Sequence, residues 1–255
     1  MIESKANLEA TSPARDGRGP LPADAEKATF VRRMFRAIAP RYDLLNHVLS
    51  LNRDRAWRRR AVDRLAAPSS PDAIVLDLCA GTLDLAVELA RRPAFGGRIV
   101  AADFAQEMLA GGMHKIEELA VLPVCADALS LPLPDSACDA AMVAFGVRNL
   151  ASLDAGLREL ARVLAPGAPM VVLEFATPRW QPFRALYLVY FRRVLPAIGR
   201  LVSRHGSAYS YLPASVLEFP EPDELATRMR AAGFAEVTWE RMTGGIVALH
   251  VGTRA

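Results

Sequence analysis

The sequence predicts an open, doubly wound α/β fold of about seven strands, mostly parallel, with a C-terminal antiparallel hairpin and an N-terminal helical cap. Three observations carry this. Short apolar runs alternate with helix-period segments between residues 73 and 176. Two alternating runs close the chain around Thr243-Gly244-Gly245. Helical pattern fills residues 25–70, before any strand.

Composition sets the bounds. The chain has 255 residues, 52% hydrophobic and 23% charged, close to globular averages. A chain this long buries roughly 75% of its unfolded surface, enough for one domain with additions over 25–255. Net charge is +3, too low for a protein that lives on phosphate contacts, so no nucleic-acid partner is expected. Cys79, Cys125 and Cys138 form no CxxC, and His47, His114, His205 and His250 are scattered. A zinc site or disulfide frame is disfavoured, and a reducing cytoplasm is expected. The N-terminus lacks a signal peptide's apolar region, and no run of about 18 apolar residues occurs.

The elements follow in order. Residues 1–24 lack periodicity and read as a disordered tail. From Lys27, Phe30, Met34 and Ile38 recur at helical spacing until Pro40. Leu44, Leu45, Val48 and Leu49 share a face, and an Arg-rich helix follows Ser50. Ala73–Asp77 is an unbroken apolar run, the mark of a buried parallel strand. Cys79–Thr82 is a small-residue turn before a helix over 83–92. A second strand ends at Asp103 and leads into a helix over 105–119. Further strands lie at 121–128, 138–147 and 169–176, with a helix at 153–167. Residues 180–204 are apolar but broken by Arg184, Arg192, Arg193 and Arg200. After a loop, a helix runs from 221 to its stop at Gly233, and two alternating strands finish the chain.

Open α/β sheets bind ligands beyond the carboxyl ends of their strands. The first such loop, DLCAGTLDLA, holds only Gly81 where a dinucleotide fingerprint needs three glycines, so NAD and FAD are disfavoured. Thr82 is placed to cap the next helix, and Asp84 to meet an ammonium group; a plain helix start is the alternative. Asp103 lies 22 residues beyond Gly81, the distance of a ribose-binding carboxylate; a helix cap is its alternative. Asp127 beside Ala128 suits an adenine edge and face. A nucleoside held without a phosphate loop points to S-adenosylmethionine.

The stretches RYDLLNHVLSLNRDRAWRRRAV, VLDLCAGTLDLA, AADFAQEML, AFGVRNL, ELARVLAPGAPMVVLEFATP and TGGIVALHVG resemble the ubiquinone/menaquinone biosynthesis C-methyltransferases, from about Phe30 to Gly252. The resemblance implies a class I methyltransferase, Rossmann-like fold and S-adenosylmethionine bound at Thr82, Asp103, Asp127 and Ala128. It implies methylation of a polyprenyl quinol, demethylmenaquinol to menaquinol, with a ubiquinone-pathway benzoquinol as the alternative. No metal is required. Arg148 would stabilise a phenolate or hold a water, Asn149 would orient a quinol oxygen, and Tyr42 would close over the site. Glu174 is an acid–base group or a structural one; His250 and Cys79 read as packing. Where the family usually has Gly-Thr-Gly-Asp, this chain has Gly81-Thr82-Leu83-Asp84, which brings Leu83 toward the cofactor's methionine end. Ala144 lacks the hydroxyl some relatives place against the cofactor, and Ala168 replaces a common glycine. Residues 182–203 would line a channel for the tail, lie on an anionic membrane at its inner face, or form a buried helix with snorkelling arginines. A homodimer stays open. The rival readings are a methyltransferase for another small phenol and a non-catalytic cofactor-binding subunit.

Overall fold

The computed structural model describes residues 24–190, 193 and 206–255. Its strands are β1 (Ile74–Leu78), β2 (Arg98–Asp103), β3 (Val121–Cys125), β4 (Ala140–Ala144), β5 (Pro169–Phe175), β6 (Phe234–Met242) and β7 (Val247–Arg254). They form one sheet in the order β3-β2-β1-β4-β5-β7-β6. β1 to β5 pair in parallel, and β7 is antiparallel to both β5 and β6. The order reverses between β1 and β4, which places a ligand crevice at their carboxyl ends. The expected architecture therefore holds, hairpin included.

The helices are α1 (Asp24–Ile38), α2 (Tyr42–Leu49), α3 (Arg53–Leu65), α4 (Asp84–Ala90), α5 (Gln106–Gly112), α6 (Leu153–Val163), α7 (Gln181–Val189), α8 (Gly206–Glu218) and α9 (Pro222–Ala231). Strand alternation divides the core. Ala141, Val143, Met170 and Val172 face α6 and α9, packing with Leu157, Leu160 and Met229. Their neighbours Ala140, Met142, Val171 and Leu173 face α3 and α4, packing with Trp57, Leu65 and Leu89. Both faces are covered, so these strands read as unbroken apolar runs. A third cluster joins the cap to α7 and α8 through Val31, Met34, Leu45, Tyr187 and Tyr211. Among the described residues, no helix is long and apolar enough to cross a membrane.

Several local expectations need correction. Leu45 is buried, but Leu44 and Val48 of the supposed apolar face are exposed. α5 stops at Gly112 and tightens into a 3₁₀ turn at Met113–Lys115 instead of running to 119. Residues 206–218, taken as loop, form α8 around an internal proline, Pro213. The expected tail falls outside the described residues except for Asp24, which starts α1, and so do Arg192 and Arg200.

His250 is packed, as expected. It is 1% exposed, and its Nε2 lies 2.9 Å from the Pro222 carbonyl. Burial pushes its pKa from 6.5 down to about 4. The unfolded chain then binds more protons between these values, so stability is full above 6.5 and falls as pH drops toward 4. At pH 5 the loss from this group is ~2 kcal/mol. Denaturant midpoints at pH 7 and 5 should therefore fall further for wild type than for His250→Gln. Equal falls would contradict the assignment.

Candidate active site

The loops after β1, β2, β3 and β4 bound a narrow cleft. Cys79, Gly81, Asp103, Asp127, Ala128 and Ala144 line it, under Phe35 and Tyr42 of the cap. Asp103 is not the cap of α5, which is Ala105 with no side-chain cap bond. Its Oδ2 accepts the Gly81 N–H at 2.9 Å and its Oδ1 the Ala105 N–H at 2.8 Å, which fixes the first loop and the turn that leads into α5. It still lines the cleft, and each oxygen keeps a second lone pair. Burial raises its pKa, against the pull of those N–H donors. Asp127 Oδ1 accepts the Leu129 N–H at 2.9 Å, a turn that sets buried Ala128 on the cleft wall. Burial also pushes the Cys79 thiol well above its ordinary range, and the side chain packs against the core beneath the cleft.

Thr82 and Asp84 do something other than expected. Neither lines the cleft, and Thr82 is not the cap of α4; Leu83 is, in a left-handed conformation. The Thr82 hydroxyl donates to Asp43 of α2. Lys115 donates to Asp43, to Asp84 at 2.7 Å and to the Thr82 carbonyl at 3.0 Å. Arg58 lies 3.1 Å from Asp84 and 2.8 Å from Asp54. The ammonium that meets Asp84 is thus the protein's own. These contacts clasp the cap to the first loop and set Tyr42, the neighbour of Asp43, over the cleft. Burial would raise the Asp43 pKa, but hydrogen bonds from Lys115 and Thr82 outweigh it and hold the carboxyl below 3.8. The sequence reading missed this clasp. One signal was present: Lys115 is one of only three lysines in a chain whose other cations are arginines.

A second, larger cavity of 590 Å³ lies under the cap. Its walls are apolar and aromatic, including Ile38, Leu45, Trp57, Phe175, Tyr187 and Ile246. Trp57, Phe145 and Phe175 form an aromatic cluster, with Phe145 and Phe175 centroids 4.6 Å apart. Trp57 donates from Nε1 to the Thr243 hydroxyl at 2.8 Å, tying the hairpin turn to this wall. Tyr42, Phe35 and Phe145 line both cavities, so the two meet there.

The 3₁₀ turn Val147–Asn149 after β4 sends successive side chains in different directions. Val147 enters the core, Arg148 lines the larger cavity and Asn149 the narrow cleft. Arg148 donates from Nη1 to Glu174 at 2.7 Å and to the Phe145 carbonyl at 2.6 Å, and stands 5.3 Å from the Phe175 centroid. Its Nε is buried with no hydrogen-bond partner among the described residues. Glu174 is 1% exposed and lines neither cavity, which makes it the structural partner of Arg148. Asn149 donates to the Phe145 carbonyl at 3.3 Å, and its Oδ1 is buried without a partner among the described residues. Its place is on the cleft, away from the cavity expected for a quinol oxygen.

The model of the ubiE/COQ5 methyltransferase family matches residues 23–254. The chain belongs to this family. It is 53% identical over 223 residues to the demethylmenaquinone methyltransferase of Thermus thermophilus, covering 87% of this chain and 100% of that one. It is 46% identical over 241 residues to the Deinococcus radiodurans enzyme of the same name, covering 94% and 98%. It is 42% identical over 233 residues to a ubiquinone/menaquinone biosynthesis C-methyltransferase of Geobacter sulfurreducens, covering 90% of each. Two solved structures share the fold alone. One is the [4+2]-cyclase SpnF, with TM-score 0.66, 18% identity and coverage of 94% and 99%. The other is a Thermotoga maritima S-adenosylmethionine-dependent methyltransferase, with TM-score 0.63, 18% identity and coverage of 88% and 99%.

The cleft of this ubiE/COQ5 family member fits a nucleoside sulfonium. Gly81 has φ +54°, and a Cβ there would project into the cleft, 3.6 Å from Met108 and 4.0 Å from Tyr42. The unpartnered Asn149 Oδ1 and the spare lone pairs of Asp103 are acceptors in the same space. Leu83 does not crowd it. Its side chain is fully buried in the core, on the side of α3 and α4. Room for it comes from Gly112, where a Cβ would stand 2.4 Å from the Thr82 carbonyl oxygen and 2.9 Å from Leu83 Cγ. Ala144 lines the cleft without a hydroxyl, and Ala168 is buried in the core.

Proposed function

We propose that the chain methylates a ring carbon of a polyprenylated naphthoquinol, converting demethylmenaquinol to menaquinol with S-adenosylmethionine as donor. The observation that carries this is the meeting of the polar-ended cleft and the 590 Å³ apolar cavity at Tyr42, Phe35 and Phe145. One holds a nucleoside, the other an aromatic ring with an apolar tail. The names of the Thermus and Deinococcus relatives favour the naphthoquinol over the benzoquinol.

When bound, S-adenosylmethionine supplies an electrophilic methyl group. The protein's part is orientation, dryness and charge. Aromatic walls exclude water and hold the ring flat. Arg148 offers N–H donors and no acceptor, so it stabilises the developing phenolate or holds the water that takes its proton. Tyr42 stays a neutral phenol, its pKa raised by burial, and closes the junction.

Expression in a bacterium lacking its own demethylmenaquinone methyltransferase tests this. Menaquinone should reappear in the quinone extract. Continued accumulation of the demethyl form would overturn the proposal, and methylated benzoquinol alone would move it to the other pathway. At the cofactor end, Asp103→Ala should weaken S-adenosylmethionine binding by ~1–3 kcal/mol in calorimetry, and NAD should give no binding heat. Unchanged affinity in Asp103→Ala would remove Asp103 from the site.

A further inference from the structure

Six of the eight exposed large apolar side chains among the described residues fall in two short segments. Leu44, Val48 and Leu51 lie on α2 and its following turn; Trp180, Leu186 and Val189 lie on or beside α7. The segments meet where the Tyr190 hydroxyl donates to the Leu49 carbonyl at 3.0 Å. Leu51 and Leu186 are 82% and 65% exposed, yet both line the 590 Å³ cavity. The patch is therefore the rim of that cavity's opening. Leu51 also sits at φ +53°, a conformation that favours glycine or asparagine, and there it shows water an isobutyl group. Neither folding nor solubility explains a leucine at that position.

Within the two segments the exposed charges have one sign, and outside them Asp223 is held by Arg179 at 3.0 Å. In residues 44–55 and 180–190 the exposed charged side chains are Arg53, Arg55 and Arg184, while the carboxylate of Asp54 is buried and paired. An apolar rim flanked by arginines matches the interface of an anionic bilayer, with side chains among the acyl chains and guanidinium groups at the phosphates. We propose that this face docks on anionic phospholipid membrane, so that the opening between α2 and α7 takes the substrate's ring directly from the bilayer. The docking rests on the quinol reading above for its purpose but not for its detection.

Vesicle co-sedimentation tests it, with phosphatidylcholine alone and mixed with phosphatidylglycerol. Wild type should bind the mixed vesicles, bind the neutral ones less, and lose affinity as salt rises. The triple variant Leu44→Gln, Trp180→Gln, Val189→Gln touches neither cavity. It should keep its melting temperature, lose vesicle affinity by about tenfold or more, and still methylate a tail-less demethylnaphthoquinol at the wild-type rate. Wild type that ignores mixed vesicles, or a variant that binds them equally, would overturn the proposal. So would a wild-type dimer in light scattering that the triple variant abolishes, since the face would then join two copies of this chain. Vesicle binding that behaves as expected, without methylation of any quinol by either protein, would support the docking and count against the quinol reading.

Discussion

Arg148→Ala is expected to lower both stability and turnover, through two separable effects. Glu174 is 1% exposed, and its ion pair to Arg148 is 2.7 Å long. Removing one partner leaves a buried charge uncompensated, at a cost of ~3–5 kcal/mol. The same guanidinium lines the acceptor cavity with its Nε unpartnered, so turnover per folded molecule should fall about tenfold or more, ~1.4 kcal/mol or above. The double variant Arg148→Met, Glu174→Gln separates the two. It leaves no buried charge at this pair, so melting temperature should recover most of the loss while turnover stays low. Cofactor affinity should stay near wild type throughout, because Arg148 does not line the narrow cleft. Recovery of turnover in the double variant would reduce Arg148 to a structural ion-pair partner.

Leu83→Gly restores the residue usual in the family, yet it should destabilise this chain. Leu83 is fully buried, and deleting its side chain costs ~3–5 kcal/mol in transfer and cavity terms. Its backbone sits at φ +68°, where glycine regains ~1–2 kcal/mol. The net loss is ~1–4 kcal/mol, a drop of roughly 2–16 °C in melting temperature for a chain of this size. Leu83→Ala is the informative companion, since it loses the packing and keeps the strain. The glycine variant should therefore be the more stable of the two, the reverse of the usual order in a helix. S-adenosylmethionine affinity should hardly change in either. A higher melting temperature for Leu83→Gly, or much tighter cofactor binding, would contradict a packing role.

The sheet was legible because its signals are local. A strand covered on both faces must be apolar throughout, and Ile74–Leu78 and Pro169–Phe175 are close to that limit. The strand ends were legible for the same reason, which brought Asp103, Asp127, Ala128 and Ala144 to one cleft as expected. α8 was hidden because Gly206, Ser207 and Pro213 are turn-forming residues, overridden here by packing of Tyr211 and Val216. The partners of Thr82 and Asp84 come from elsewhere in the chain, so their contacts leave no local sign in the sequence. Asp43 and Lys115 are 39 and 33 residues from Thr82, and no local pattern announces such a clasp. Arg148 and Asn149 were placed together because they are neighbours. A 3₁₀ turn advances about a third of a circle per residue, which sends adjacent side chains to different cavities.

Methyl transfer to a quinol ring carbon leaves its mark on the product. The purified protein is incubated with S-adenosylmethionine carrying an isotopically labelled methyl group and with demethylmenaquinol kept reduced, and the extracted quinone is analysed by mass spectrometry and NMR. One labelled methyl group is expected, attached to the ring carbon, and none when the donor is omitted. Label on a quinol oxygen, or no label in a preparation that binds S-adenosylmethionine, would contradict it.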